Sequence, residues 1–438
     1  MRESIGVIGL GYIGLPLSMC LCERGFRVVG IDTDSDKVRR IEAGETDVQE
    51  DYRGETLQQR LQRHLAAGHF IVSSRTAVAA WEATTYLVTV GVPVHPDTKA
   101  LSDEPLRMAM ENLGRVLKPH DVVVIRSTVV PGTVESRYVP ILEETSRMVA
   151  GVDFHVAYAA ERVAEGRAME EFQTLDIVVG GLTDKCAALA AQTLQKLTDG
   201  QIHITDLRIA QLSKVIENAQ RDVNLAMVQE LQAVAKAHRV NLFELIQMVN
   251  THPRVQMLLP SVGVGGYCIP NAYHYLSASL DDTTGVDLPL FRTARETNEG
   301  APQRIARDVA QSLADRGRSM KDAVVVVLGL GMKDGSNDIR QSPAIACAKA
   351  FQSLGAVVRA YDPTVAPLLP YQFASVEDCL RGADAIVVGA WQPAFDQLDW
   401  GRLFGLVNPT APVILVDPRG RLEARVLHLP HTTILQRA

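Results

Sequence analysis

Apolar positions along the chain fall into short blocks separated by glycine-rich or polar turns. Ile5-Gly6-Val7-Ile8 is a β-type run, and Leu15 to Arg24 is apolar at helical spacing, closed by Gly25. Arg27-Val28-Val29-Gly30-Ile31-Asp32 is a second run with an acid at its tip, and similar runs stand at Tyr86–Val90, Val122–Ile125 and Ile177–Val179. Strand-type runs alternating with helical stretches predict a parallel, doubly wound sheet.

From Ile209 to Arg239 the pattern changes. These residues include no glycine and no proline, and their apolar positions recur at helical spacing, which predicts one long helix. A glycine-rich loop, Gly263-Val264-Gly265-Gly266, follows. The last segment repeats the plan of the first: strand Ala323–Leu328, turn Gly329-Leu330-Gly331, a helical stretch from Ser342, strand Val357–Asp362, and runs at Ala385–Val388 and Val413–Val416. The predicted class is α/β, with two Rossmann-like doubly wound lobes joined by a helical middle domain that carries the long central helix. The expected boundaries are 1–200, 201–305 and 306–438.

Composition narrows the function classes. The chain has 438 residues, with 44 Lys+Arg against 51 Asp+Glu, a net charge of −7. An acidic balance disfavours non-specific binding to nucleic acid or membranes, so an anionic ligand must be held by local donors. No apolar run approaches the roughly 18 residues of a transmembrane helix, and the glycine-broken N-terminus does not read as a signal peptide. Six cysteines without a CxxC pair predict a reduced, cytoplasmic protein with no disulfide framework and no metal site.

Gly9-x-Gly11-x-x-Gly14, with Tyr12 and Ile13 inside it, lies between a predicted strand and helix, where a dinucleotide fingerprint belongs. The glycines permit a tight turn and close approach of a pyrophosphate to the helix N-terminus. Asp32 stands where an acid would bond a ribose 2′-hydroxyl, which favours NAD over NADP. The alternative is a glycine turn with no ligand. Gly329-x-Gly331 has Asp334 at the third glycine position. It reads either as a structural turn or as a second nucleotide site with Lys333 and Arg340 as cations. Cys268 is either a small buried hydrophobe or a nucleophile. Lys214 and Asn218 share a helix face and read as a solvated stripe or a functional pair. Glu161 and Glu165 could equally be surface acids.

Several motifs in order carry a resemblance: the N-terminal fingerprint, Ser127-Thr128-Val129-Val130-Pro131-Gly132, and Glu161-Arg162-Val163-Ala164-Glu165-Gly166. Lys214-Val215-Ile216-Glu217-Asn218-Ala219, Gly263 to Pro270, and Lys333 with Asn337 to Pro343 complete it. The chain resembles the UDP-glucose/GDP-mannose dehydrogenase family over nearly its whole length. The resemblance implies oxidation of a sugar C6 alcohol to a carboxylate with two NAD. Cys268 would be the nucleophile, Lys214 and Asn218 its oxyanion partners, and Thr128 and Glu165 would handle water with Glu161 beside them. Thr128 would also border the cofactor. Glu161, Arg162, Lys214, Asn218, Gly265, Lys333 and Arg340 would bind the UDP-sugar, with Arg254 reaching the sugar of a neighbouring subunit. A homodimer or larger homo-oligomer is expected. Glu161-Arg162-Val163 and Arg221-Asp222-Val223-Asn224 resemble the UDP-N-acetylhexosamine branch (UDP-N-acetylglucosamine or -mannosamine). UDP-glucose is the alternative, as is a catalytically altered nucleotide-sugar-binding paralogue. The family usually has an aspartate four residues after the cysteine, where this chain has Ala272.

Overall fold

A computed structural model of the chain describes residues 3–78, 83–95, 98–280, 285–426 and 432–434. The chain packs as two compact units, Met1–Glu217 with His274–Gly285, and Asn218–Tyr273 with Val286–Ala438.

The first unit is built on strands β1 (Ser4–Ile8), β2 (Arg27–Ile31), β5 (Phe70–Ser73), β6 (Thr85–Val88), β7 (Val122–Ile125), β8 (His155–Tyr158), β9 (Ile177–Gly181) and β10 (Ile202–Asp206). A short hairpin, β3 (Asp51–Tyr52) with β4 (Glu55–Thr56), stands apart from that sheet. The sheet order is β10-β9-β8-β7-β6-β1-β2-β5, and its pairs are parallel except β8 with β9. Such strands read as continuous apolar runs because both faces are covered. Ile5, Val7 and Leu87 face one apolar cluster, and Ile8, Tyr86 and Val88 face another. Each fully buried aliphatic side chain contributes about 1.5–3 kcal/mol. The helix Gly14–Glu23 is apolar on nearly all sides, and it is enclosed accordingly. Winding out from β1 to β2 and β5, then restarting at β6 on the other side of β1, opens a switch point at the carboxyl ends of β1 and β6.

The second unit carries an all-parallel sheet of β11 (Val324–Leu328), β12 (Val357–Tyr361), β13 (Ala385–Val388), β14 (Val413–Val416) and β15 (Thr432–Ile434), in the order β12-β11-β13-β14-β15. Its switch point lies between β11 and β13. The long helix is Leu207–His238, starting two residues before the predicted run and ending one residue before its end. Among the described residues no helix is long and apolar enough to cross a membrane.

Candidate functional site

The Gly9–Gly14 turn lies at the first switch point. Gly9 has φ +94°, and a Cβ at Gly14 would come within 1.8 Å of the Gly9 carbonyl oxygen, so neither position admits a side chain. In front of Gly11 nothing described lies within 4 Å of the place a Cβ would take. That is the open approach a pyrophosphate needs, and the residues fit a dinucleotide. Asp32 follows β2. Its Oδ2 accepts from the Leu10 N–H and from Lys37 Nζ, both at 2.9 Å, and its Oδ1 accepts from the Asp34 N–H at 3.0 Å. Lys37 is a residue the sequence reading did not single out. It sits in the first turn of helix Ser35–Glu42, five residues after the acid, and that spacing was its only signal.

Thr128 is half-buried just beyond β7, and Glu161 lies in the loop beyond β8. The Glu161 carboxylate is fully engaged. One oxygen accepts from the Arg162 and Val163 N–H groups at 2.7 and 3.0 Å, and the other takes Arg126 Nη2. Arg162, exposed overall, forks onto Glu217 of the long helix at 2.7 and 3.2 Å and donates to the Asp176 carbonyl at 3.1 Å. Glu165 occupies the turn that follows, ending at Gly166 with φ +81°. Gln211, wholly buried on the same helix, accepts from the Gly132 N–H at 3.0 Å and so ties the Thr128 segment to the helix.

Lys214 and Asn218 are both buried, so they do not form a solvated stripe. Lys214 makes no ion pair with a described residue. A buried ammonium lacking a counter-charge is unfavourable, and it suits an oxygen that carries or develops negative charge.

In the second unit, Cys268 opens the helix Cys268–Ala278 and is exposed, whereas the other five cysteines are buried. The preceding loop is held against residues 332–343. A Cβ at Gly265 would lie 2.6 Å from Pro343, one at Gly266 2.6 Å from the Met332 sulfur, and the Gly266 N–H donates to the Arg340 carbonyl at 3.2 Å. Arg340 pairs with buried Asp338, and its guanidinium carbon lies 4.8 Å from the Tyr267 ring centroid. Lys333 is half-buried in the same loop. Arg254 is exposed beside His252. Ala272 is buried.

The second glycine turn differs from the first in what fills it. Asp362, the counterpart of Asp32, spends Oδ2 on the Leu330 N–H (2.6 Å) and Gln392 Nε2 (3.0 Å), and Oδ1 on Thr364. Asp334 accepts from the Trp391 N–H at 2.8 Å and pairs with Arg419 at 2.6 Å. The Leu330 N–H is held as the Leu10 N–H is, but a Cβ at Gly331 would lie 2.1 Å from the Ser336 carbonyl oxygen, so the space that is open at Gly11 is filled here by the chain itself. A cleft at the carboxyl ends of β13 and β14 is lined by Asp334, Trp391, Arg419 and Arg421, and the two arginines are further cations missed in the sequence. The first unit therefore brings together the Thr128, Glu161, Arg162 and Lys214 segments, and the second brings the Cys268 loop together with Lys333 and Arg340.

Residues 3–199 match the NAD-binding domain of the UDP-glucose/GDP-mannose dehydrogenase family, residues 208–300 its central domain, and residues 326–424 its UDP-binding domain. The chain is 34% identical over 396 residues to a UDP-N-acetyl-D-mannosamine dehydrogenase of Pyrococcus horikoshii, covering 90% of this chain and 91% of that protein. It is 31% identical to an NDP-N-acetyl-D-galactosaminuronic acid dehydrogenase of Ralstonia nicotianae, covering 97% of each. A solved structure of UDP-D-ManNAc dehydrogenase from Pyrococcus horikoshii superposes with a TM-score of 0.85 at 32% identity, over 94% of this chain and 95% of that one. With all three domains matched in order, the chain belongs to the UDP-glucose/GDP-mannose dehydrogenase family and is an NAD-dependent oxidoreductase of nucleotide sugars.

Proposed function

We propose that the chain oxidises the C6 alcohol of a UDP-N-acetylhexosamine, UDP-N-acetylmannosamine first and UDP-N-acetylglucosamine next, to the uronate. The observation that carries this is Cys268, the one exposed cysteine, at the head of its helix beyond a loop whose Gly263, Gly265 and Gly266 admit no side chain. The 34% identity to a UDP-N-acetyl-D-mannosamine dehydrogenase supports the choice of sugar. When bound, NAD accepts a hydride from the sugar carbon, once per molecule.

The chain's own residues divide the rest. The Gly9–Gly14 turn holds the pyrophosphate, and Asp32 beside Lys37 receives the adenosine ribose, which favours NAD over NADP. The first hydride loss leaves an aldehyde with no second carbinol hydrogen to give up. Addition of the Cys268 sulfur restores a carbinol as a thiohemiacetal, the alkoxide taking up a proton. Loss of the second hydride and of that proton makes a thioester. Water then cleaves it to the carboxylate and returns the thiol. Lys214 and Asn218 stabilise the oxyanions of the addition and hydrolysis steps. Thr128 and Glu165 hold the attacking water. Lys333 and Arg340 border the UDP half, and exposed Arg254 reaches the sugar of a second copy. The free cysteines fit a cytoplasmic setting.

Ala272, lacking the usual carboxylate, supports a second reading: a nucleotide-sugar-binding paralogue with altered chemistry. NADH release with UDP-N-acetylmannosamine, UDP-N-acetylglucosamine and UDP-glucose separates the readings. The proposal expects two NADH per sugar, the mannosamine fastest, and slower turnover with NADP. No NADH from any of the three supports the paralogue.

A further inference from the structure

Two ion pairs run through the first unit as consecutive links. The first is buried: Arg126, two residues before Thr128, holds Glu161, and Phe172 lies 5.9 Å from its guanidinium carbon. Backbone pairing runs alongside, with the Glu161 N–H donating to the Arg126 carbonyl at 3.1 Å. The second link starts at the next residue. Arg162 forks onto Glu217, which lies one helical turn from Lys214 and next to Asn218. Glu161 closes the gap by accepting the N–H groups of Arg162 and Val163. The three segments so tied carry Thr128, Glu165 and Lys214. Neither Glu161 nor Arg162 has the arrangement of a group waiting for substrate, because both are committed to partners within the chain.

We propose that Arg126 and Arg162 are positioning residues for the oxidation, acting through Glu161 and Glu217 to set the register of the Thr128 segment, the Glu165 loop and the Lys214 turn. This inference rests on the functional reading above. A half-exposed pair such as Arg162–Glu217 contributes about 0–1 kcal/mol to stability. Its removal therefore leaves the fold intact and exposes any effect on geometry. A displacement of about 1 Å at reacting groups can cost about 10²-fold in rate. Loss of a residue that binds substrate raises KM, whereas loss of one that sets register lowers kcat and spares KM.

The test compares the full-length unmodified enzyme, Arg162→Glu, Glu217→Arg and the charge-swapped double variant, using UDP-N-acetylmannosamine and NAD. Each single variant should lose roughly 10–100-fold in kcat, with KM and the NAD Kd within about threefold and Tm within a few degrees. The swap should recover at least about tenfold of that loss, since it restores the tie with reversed charges. Arg126→Lys should retain more kcat than Arg126→Gln, because the lysine keeps a cation against Glu161. Single variants with unchanged kcat, a loss confined to KM, or a swap no better than either single variant overturns the proposal. An unmodified chain that oxidises no UDP-sugar overturns the functional reading, and the control arm alone shows it.

Discussion

Burial separates the six cysteines into two kinds. Enclosure in the core pushes the Cys347 and Cys379 thiols up to about 12, and Cys20 is likewise raised by burial, so these sulfurs stay protonated and inert. Cys268 alone meets solvent. Four residues on, Ala272 faces the interior. A carboxylate there would have to be desolvated, at roughly 1–3 kcal/mol for an unmet polar group and a similar amount for overpacking. Ala272→Asp should therefore lower Tm by roughly 5 °C or more in a calorimetric scan; unchanged Tm with faster turnover would mean the pocket already accommodates the acid. The glycine turn and Asp32 were legible in the sequence, because a tight turn at a strand end demands those residue types at that spacing. The ties of Glu161 and Arg162 were not legible. Arg126 lies 35 residues from Glu161 and Glu217 lies 55 from Arg162, so only the folded chain brings the charges together.

Among the elements, the long helix was the most legible, since an uninterrupted helical period fixes both type and approximate length. The direction of β9 was not, because an apolar run reads the same whether its strand pairs parallel or antiparallel; β9 runs against β8, and β10 follows parallel to β9. The hairpin at β3 and β4 escaped notice because its strands are only two residues each, too short for a period. Along the long helix Ile209, Ile216, Met227 and Val234 are exposed. Their separations of 7, 11 and 7 residues are whole helical turns, so they form one apolar stripe. We propose that the stripe packs against a second copy. Sedimentation should give about twice the 47.8 kDa chain mass at micromolar concentration, and Ile216→Glu with Met227→Glu should reduce it to a monomer. A monomeric unmodified chain contradicts this.

For the molecule as a whole, the two glycine turns show how one plan serves two ends. At the first, the space in front of Gly11 is open; at the second, the Ser336 carbonyl oxygen stands 2.1 Å from where a Cβ of Gly331 would lie. The first lobe keeps its turn open for a dinucleotide, and the second fills its own. The central claim is that both hydrides of the sugar pass by way of Cys268, with hydrolysis last. On the proposed mechanism, with no carboxylate at position 272, Thr128 and Glu165 alone would hold the water, and loss of one acid–base partner commonly costs about 10²–10⁴-fold in its step. The most direct measurement is rapid mixing with UDP-N-acetylmannosamine and NAD, following NADH absorbance and the intact mass of the quenched protein. The account predicts a burst of two NADH per active site before a slower steady state, and sugar mass on Cys268 that accumulates further in Glu165→Gln and is absent in Cys268→Ala. No burst and no adduct, with full uronate production by Cys268→Ala, would contradict it.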